Sequence, residues 1–179
     1  MRLVSFLAVL GLLGGAAYAG REAITNTIRD VQDNLWGAEV HAQRMIASSE
    51  APGRAAALTI DGNGMKSWSA AVPGNTADEY LEAEFEKPIR LLYMFISGGP
   101  SNNAEVFRTE RRPTKMEIVT YGRENEQISL TGIELQDVST AQRFYVSADE
   151  VSKIKIRILE STGPAEASVS VAEVQFWGR

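Results

Sequence analysis

The sequence IDGNGMKSW, residues 60–68, is the stretch from which the fold can be predicted. Asp61-Gly62 and Asn63-Gly64 are typical turn pairs, because Gly adopts positive φ without strain and Asp or Asn side chains hydrogen-bond to the backbone that follows them. Trp68 comes directly afterwards, and a ring of this size is expected to lie in a core. The stretch therefore predicts a tight polar loop that ends on a buried tryptophan.

Composition narrows the class of protein before any further motif is considered. The chain has 179 residues, of which 44% are hydrophobic and 23% are charged, and these values are typical of a soluble globular protein. Its net charge of -5 argues against nucleic-acid binding through phosphate contacts. The sequence has no Cys, which excludes disulfides, thiolate metal sites and thiol nucleophiles.

Residues 1–19 have the features of a targeting segment. Arg2 is followed by the apolar run Leu3–Leu13 and by the small residues of Ala17-Tyr18-Ala19. This order predicts a signal peptide cleaved after Ala19. The alternative is a membrane anchor, because the uncharged stretch just reaches the roughly 17–25 residues that a membrane helix needs. Both interpretations predict that the rest of the chain lies outside the cytoplasm, in a secreted, periplasmic or membrane-anchored protein.

Residues 20–43 have helical periodicity. Apolar residues recur with spacings of four and three along one stripe: Ile24, Ile28, Val31, Leu35, Ala38 and Ala42. This pattern predicts an amphipathic helix, or stalk. The stalk is expected to pack on the domain or to act as a spacer. The alternative is a helix that binds a partner, since the stripe is heptad-like.

Residues 44–179 change from helical periodicity to alternation. Leu81, Ala83 and Phe85 share one face of a predicted strand that ends at Lys87-Pro88. Ile89–Ile96 is apolar throughout, which predicts a central strand covered on both faces. Further strands are predicted at Met45–Ser49, Lys115–Tyr121, Ile128–Leu130, Ile133–Leu135, Phe144–Val146, Lys153–Leu159 and Ser168–Trp177. About eight short strands without a convincing internal helix predict an all-β sandwich.

Five short motifs follow one another in this domain: Ala47-Ser48-Ser49, Asp61-Gly62 with Trp68, Tyr80–Phe85 with Pro88-Ile89, Arg112–Met116 and Val171–Gly178. In this order they resemble the NADase-type glycan-binding domain, a discoidin-like module related to galactose-binding carbohydrate modules. The resemblance covers residues 44–179. It implies an eight-stranded discoidin-like jelly-roll sandwich with a binding role and no catalysis. The family name does not imply NADase activity, because the module is an accessory piece.

The longest predicted loop, residues 97–113, carries the candidate ligand-binding side chains: Asn102, Asn103, Phe107, Arg108 and Arg111. Arg and Asn supply directed hydrogen bonds, and Phe107 would supply a flat apolar platform, a combination typical of a site for a sugar or an anionic group. The alternative is a solvated loop that braces the fold. We expect that bracing role for Arg112, paired with a nearby acid.

A structural loop is predicted around Asp61, Lys66, Trp68 and Glu173. The resemblance implies that Asp61 and Glu173 match acidic positions that hold a structural Ca²⁺ in many relatives, in which a Thr stands at the position of Lys66. An ammonium group cannot ligate and repels the ion. We therefore expect an ion pair of Lys66 with these acids and predict no metal or other cofactor. The alternatives are a solvent-exposed Lys66 and a retained Ca²⁺.

No catalytic residues are predicted. The single histidine, His41, lies in the predicted stalk, and no serine lies in a Gly-x-Ser-x-Gly motif. The predicted function is non-catalytic recognition of glycan or another cell-envelope component. The alternative is an accessory structural subunit of a membrane protein complex, which would bind protein through the sandwich and the stalk helix. An envelope hydrolase would need a carboxylate pair that the sequence does not single out.

Overall fold

The computed structural model describes residues 37–74 and 79–179. The predicted leader, residues 1–19, and most of the predicted stalk, residues 20–43, lie outside the described residues. Within the described part, no helix has the length and apolar character needed to cross a membrane.

The described part of the chain contains eight strands. They are β1 (Ala38–Val40), β2 (Arg44–Ala47), β3 (Trp68–Ser69), β4 (Tyr80–Gly98), β5 (Arg112–Tyr121), β6 (Gln127–Glu134), β7 (Gln142–Thr162) and β8 (Ser170–Gly178). A 3-10 helix at Ala56–Ile60 and the short helix α1 at Ala104–Phe107 interrupt the connections. Neighbouring strands are antiparallel in the order β1-β8-β4-β7-β5-β6, with β2 beside β4 and β3 beside β8.

The long strands β4 and β7 each belong to both layers of the sandwich. The first half of β4 pairs with β2 and the second half of β7, whereas the second half of β4 pairs with β8 and the first half of β7. The register of β4 against β7 shifts between Glu84 and Ile89. The bulge at this point lets the sheet bend from one layer into the other.

Several predicted strand breaks are wrong because pairing continues through them. The strand does not end at Lys87-Pro88 as predicted. These residues lie in a bulge inside β4, where Pro88 is not required to donate a hydrogen bond to a neighbouring strand. Residues 144–146 and 153–159 belong to one strand, β7, with a positive φ of 56° at Glu150 in its bend. Gly132 pairs with Glu117 inside β6, so the two short strands predicted there are also one.

The predicted burial of Trp68 is confirmed. Large apolar side chains from five strands meet in one cluster between the layers: Trp68, Phe85, Ile118, Ile156, Val174 and Phe176. The rings of Phe85 on β4 and Phe176 on β8 meet edge to face, with their centroids 5.2 Å apart. Such contacts stabilise the pair beyond simple burial of apolar area.

Two other predictions are corrected by the fold. The helix predicted for residues 20–43 does not extend to its predicted end, because Ala38–Val40 is strand β1 paired with the end of β8. The stretch Ile89–Ile96 is not fully covered, since Tyr93 and Phe95 are only half-buried on the outward face of β4. There Tyr93 stacks on Trp177 with a centroid distance of 5.6 Å.

Candidate ligand-binding groove

A groove of about 470 Å³ opens at the loop end of the sandwich. Its lining comes from the loop before β3, the 3-10 helix and the loop between β4 and β5. The lining residues are Gly53, Arg54, Leu58, Met65, Lys66, Ser67, Pro100, Val106 and Glu110.

The loop of residues 60–68 forms one wall of the groove as its turn chemistry predicts. The Asp61 side chain accepts a hydrogen bond from the Asn63 N–H at 2.8 Å, and Gly62 has a φ of +73°. The wall is tied to the β4–β5 loop, because the Asn102 N–H donates to the Gly64 carbonyl at 2.7 Å. The loop ends on Trp68, which is fully buried and donates from Nε1 to the Ser49 carbonyl at 2.8 Å.

The floor of the groove is an ion pair between Arg54 and Glu110. The Nη1–Oε1 and Nη2–Oε2 distances are 2.9 and 3.1 Å. Arg54 also donates from Nε to the Ser67 carbonyl at 3.0 Å and from Nη2 to the Ser67 hydroxyl. Glu110 additionally accepts from the Ser170 hydroxyl. Because each of the two charged groups has several hydrogen-bond partners, both are held in fixed positions, and part of each still faces the groove.

The rim of the groove is apolar except for one cation. Met65 and Val106 are 60% and 42% exposed. Lys66 is exposed and makes no ion pair with any of the residues that the structure describes. The groove therefore offers directed hydrogen bonds at its floor, apolar contacts at its walls and a positive charge at its edge.

None of the five predicted ligand-binding residues lines this groove. Asn103 caps α1, and its Oδ1 accepts from the N–H groups of Glu105 and Val106 at 2.9 and 3.3 Å. The platform predicted for Phe107 is wrong, because the ring is buried beneath the Arg112 guanidinium, 5.1 Å from its centroid.

The other three predicted ligand-binding residues, Arg111, Asn102 and Arg108, have different surroundings. Arg111 braces the end of β7, since its Nε donates to the Ser161 hydroxyl at 3.0 Å and its Nη2 to the Ser161 carbonyl at 3.2 Å. Asn102 and Arg108 are exposed outside the groove lining. The bracing role predicted for Arg112 is confirmed by its ion pair with Asp137.

Sequence reasoning missed Arg54 and Glu110, and it assigned Lys66 to the wrong neighbours. Arg54 lies in a connection without periodicity, and 56 residues separate it from Glu110. No local pattern marks such a pair. The turn signals at Asp61 and Asn63 were the only indication that a wall of a site would form there.

The ion pair predicted for Lys66 with Asp61 and Glu173 is wrong. Lys66 lies in the groove, whereas Asp61 and Glu173 line a separate cavity of about 250 Å³ together with Glu39 and His41. Glu173 is buried, and its Oε2 has no hydrogen-bond partner among the described residues. Burial first and the Asp61 carboxylate second raise the pKa of Glu173 to about 7, although the Gly62 N–H donates to its carboxylate.

These acids do not by themselves make the calcium site that the resemblance implies. Ca²⁺ takes six to eight oxygen ligands. No three His, Asp or Glu side chains gather closely enough in the described part to hold one ion. Asp61 and Glu173 together supply at most four carboxylate oxygens, so a bound Ca²⁺ would need further ligands from backbone carbonyls or water.

Comparison with known proteins identifies similar domains. The sequence model of the family described as the NAD glycohydrolase translocation F5/8 type C domain matches residues 36–177. A search of curated proteins finds no significant match.

Three solved structures illustrate the likeness in fold. A family 32 carbohydrate-binding module of NanJ from C. perfringens, in complex with galactose, has a TM-score of 0.65 and 19% identity, covering 79% of this chain and 98% of the module. An F5/8 type C domain from Bacteroides fragilis has a TM-score of 0.62 and 15% identity, covering 79% and 95%. A fucose-binding module from Streptococcus pneumoniae has a TM-score of 0.58 and 14% identity, covering 78% and 93%. These likenesses establish the fold as a discoidin-like sandwich.

Proposed function

Because the chain belongs to the NAD glycohydrolase translocation F5/8 type C domain family, we propose that it is a non-catalytic module that recognises glycan through the groove floored by Arg54 and Glu110. The observation that carries the proposal is this fixed pair, set between apolar walls at the loop end of a sandwich. Similar sandwiches are described as a module in complex with galactose and as a fucose-binding module.

The chemistry of the floor suits hydroxyl groups. Arg54 has five N–H donors, and four hydrogen bonds from them are accounted for within the described residues, which leaves a donor for a ligand. Glu110 Oε1 accepts from Arg54 and retains a second lone pair. A donor and an acceptor held side by side match two neighbouring hydroxyls of a sugar ring. Met65 and Val106 would contact its apolar faces.

A glycan array tests this proposal. Wild type is expected to bind a defined set of glycans, and Val106→Trp is expected to lose them because the larger side chain fills the groove. Val72→Trp is the matched control, since Val72 is also an exposed valine and does not line the groove. If no glycan binds, or if both variants bind as wild type does, the proposed function is wrong.

We place this activity outside the cytoplasm, with residues 1–19 as signal peptide or anchor, residues 20–37 as the segment that connects it to β1, and residues 38–179 as the binding domain. The order of charge, apolar run and small residues in the leader supports the proposal. N-terminal sequencing of the native protein, combined with membrane fractionation, distinguishes a mature chain that begins at Gly20 from a membrane-bound chain that retains Met1. A soluble cytoplasmic chain that retains Met1 would contradict both.

A second candidate function is an accessory subunit that binds a protein partner. One observation favours it: Leu130 on β6, the last strand in the sheet order, is 54% exposed, and Ile128 beside it is also exposed. An edge strand with exposed aliphatic side chains is suited to pairing with another chain. A pull-down from native membranes with wild type and Leu130→Lys separates the two candidates. A partner that is captured by wild type and lost with Leu130→Lys favours the accessory role.

A further inference from the structure

The charges that line the groove do not balance. Three charged residues contribute to its lining, and two of them, Arg54 and Glu110, neutralise each other at contact distance. The third, Lys66, has no charged partner among the described residues and is exposed at the rim. The groove therefore presents one uncompensated positive charge on a chain whose net charge is -5.

The lining contains no aromatic ring. Its apolar members are Leu58, Met65, Pro100 and Val106. The aromatic ring predicted to serve as a platform, Phe107, is buried. A sugar in this groove would have no ring to stack on, so polar and charged contacts must supply a larger share of its recognition.

We propose that the groove takes an anionic saccharide, with Lys66 meeting its carboxylate or sulfate group. This inference rests on the proposed function and names its ligand class. Arg54 and Glu110 bind hydroxyls of the sugar ring, and Lys66 contacts the acidic substituent. Lys66 acts as a point charge on a flexible stem, so it accommodates either acidic group.

The expected size of the effect follows from the exposure of Lys66. An exposed ion pair contributes up to about 1 kcal/mol, which corresponds to roughly a fivefold change in affinity. Because Lys66 is in contact with solvent, the contribution is expected to fall as salt is raised.

The experiment compares ligands that differ in one substituent. Digalacturonic acid and the neutral α-1,4-linked galactobiose share ring stereochemistry, and galactose 6-sulfate tests the other acidic group against galactose. Each is titrated by calorimetry into wild type, Lys66→Gln, Lys66→Arg and Lys87→Gln. Lys87 is an exposed lysine in the bulge of β4 and does not line the groove, so it is the charge-matched control.

We expect wild type and Lys87→Gln to prefer an acidic ligand over its neutral counterpart about fivefold at low salt. Lys66→Gln should lose this preference, and Lys66→Arg should retain it. Equal or weaker binding of both acidic ligands by wild type would overturn the inference and leave the proposed function standing. A preference that survives in Lys66→Gln would overturn the role of Lys66. Binding of no saccharide at all would overturn the proposed function itself.

Discussion

Arg112 donates hydrogen bonds to the carboxylate of Asp137 from two separate nitrogens: the Nε–Oδ1 distance is 2.8 Å and the Nη2–Oδ2 distance is 3.0 Å. The pair ties the first residue of β5 to the turn after β6. The Arg112 side chain is almost fully buried, whereas that of Asp137 is about half exposed. The hydrogen bonds from Arg112 are the main reason why the pKa of Asp137 lies below its usual value.

Asp137→Asn should destabilise the domain by about 1–3 kcal/mol, because it leaves a buried guanidinium without its charged partner. Urea unfolding at pH 7 measures the change. Arg44→Gln is the control, since Arg44 also contacts its partner, Glu84, with two nitrogens but is exposed, and its loss should cost less than about 1 kcal/mol. Because the pKa of Asp137 is depressed, its stabilising contribution is present at neutral pH and is lost only as pH falls below about 4. Equal losses in the two variants would contradict the structural role of the pair.

Trp68→Ala should lower the free energy of unfolding by about 3–5 kcal/mol, because it empties a fully buried site. Trp68→Phe retains most of the packing and loses the hydrogen bond from Nε1 to Ser49, so a smaller loss is expected. Urea midpoints rank the variants, with Met65→Ala as an exposed control. A loss in Trp68→Ala as small as that in Met65→Ala would place the indole outside the core.

Glu173→Gln should stabilise the domain at pH 8 and have little effect at pH 5. Burial and Asp61 raise the folded-state pKa of Glu173 to about 7 from an ordinary value of 4.5. Between pH 4.5 and about pH 7 the folded state binds a proton that the unfolded state releases, so wild-type stability falls as pH rises through this window. Gln removes that dependence. Melting temperatures across pH 4–9 test the sign, and a variant that is less stable than wild type at pH 8 would contradict it.

A chelator should leave the melting temperature of wild type unchanged. Asp61 and Glu173 alone supply fewer oxygens than the six to eight that Ca²⁺ takes, and no third His, Asp or Glu side chain of the described residues joins them. Thermal melts with excess EDTA, and after back-addition of Ca²⁺, give the answer. A large drop that Ca²⁺ reverses would restore the metal site implied by the resemblance.

Gly178→Ala should destabilise the domain, whereas Gly132→Ala should not. A Cβ on Gly178 would overlap the backbone carbonyl of Arg90, which cannot rotate away, and overpacking of this kind costs about 1–3 kcal/mol or more. A Cβ on Gly132 meets nothing within 4 Å, and neither glycine has positive φ. Gly132→Ala should therefore be neutral or stabilising by up to about 1 kcal/mol, through the lower entropy of the unfolded chain. Differential scanning calorimetry compares them, and similar changes in both would contradict the packing at Gly178.

Much of the fold could be predicted because it depends on local patterns. Alternation placed Leu81, Ala83 and Phe85 on the core face, since successive side chains in a strand point to opposite sides. Turn chemistry placed a loop at Asp61–Gly64, and the size of Trp68 placed its ring in the core. These features need only the geometry of neighbouring residues.

The strand boundaries depended on pairing with distant segments. Lys87-Pro88 looked like a break from its own residues, but β7 continues alongside it and a bulge absorbs the proline. The isolated segments predicted in β6 and β7 merged for the same reason. Hydrogen bonds to a neighbouring strand decide where a strand ends. The residues of one strand do not show which distant segment will pair with it.

By itself, the sequence determined the class of fold, the turn before Trp68 and the apolar face of each strand, because spacing along the chain controls which side of a strand a residue occupies. Only the tertiary structure decided which side chains meet: that Lys66 lies at the rim of a groove and not beside Glu173, that Phe107 is buried, and that Arg54 reaches Glu110. Those contacts depend on the paths of loops far apart in sequence, and a residue's type does not specify the direction in which a loop carries it.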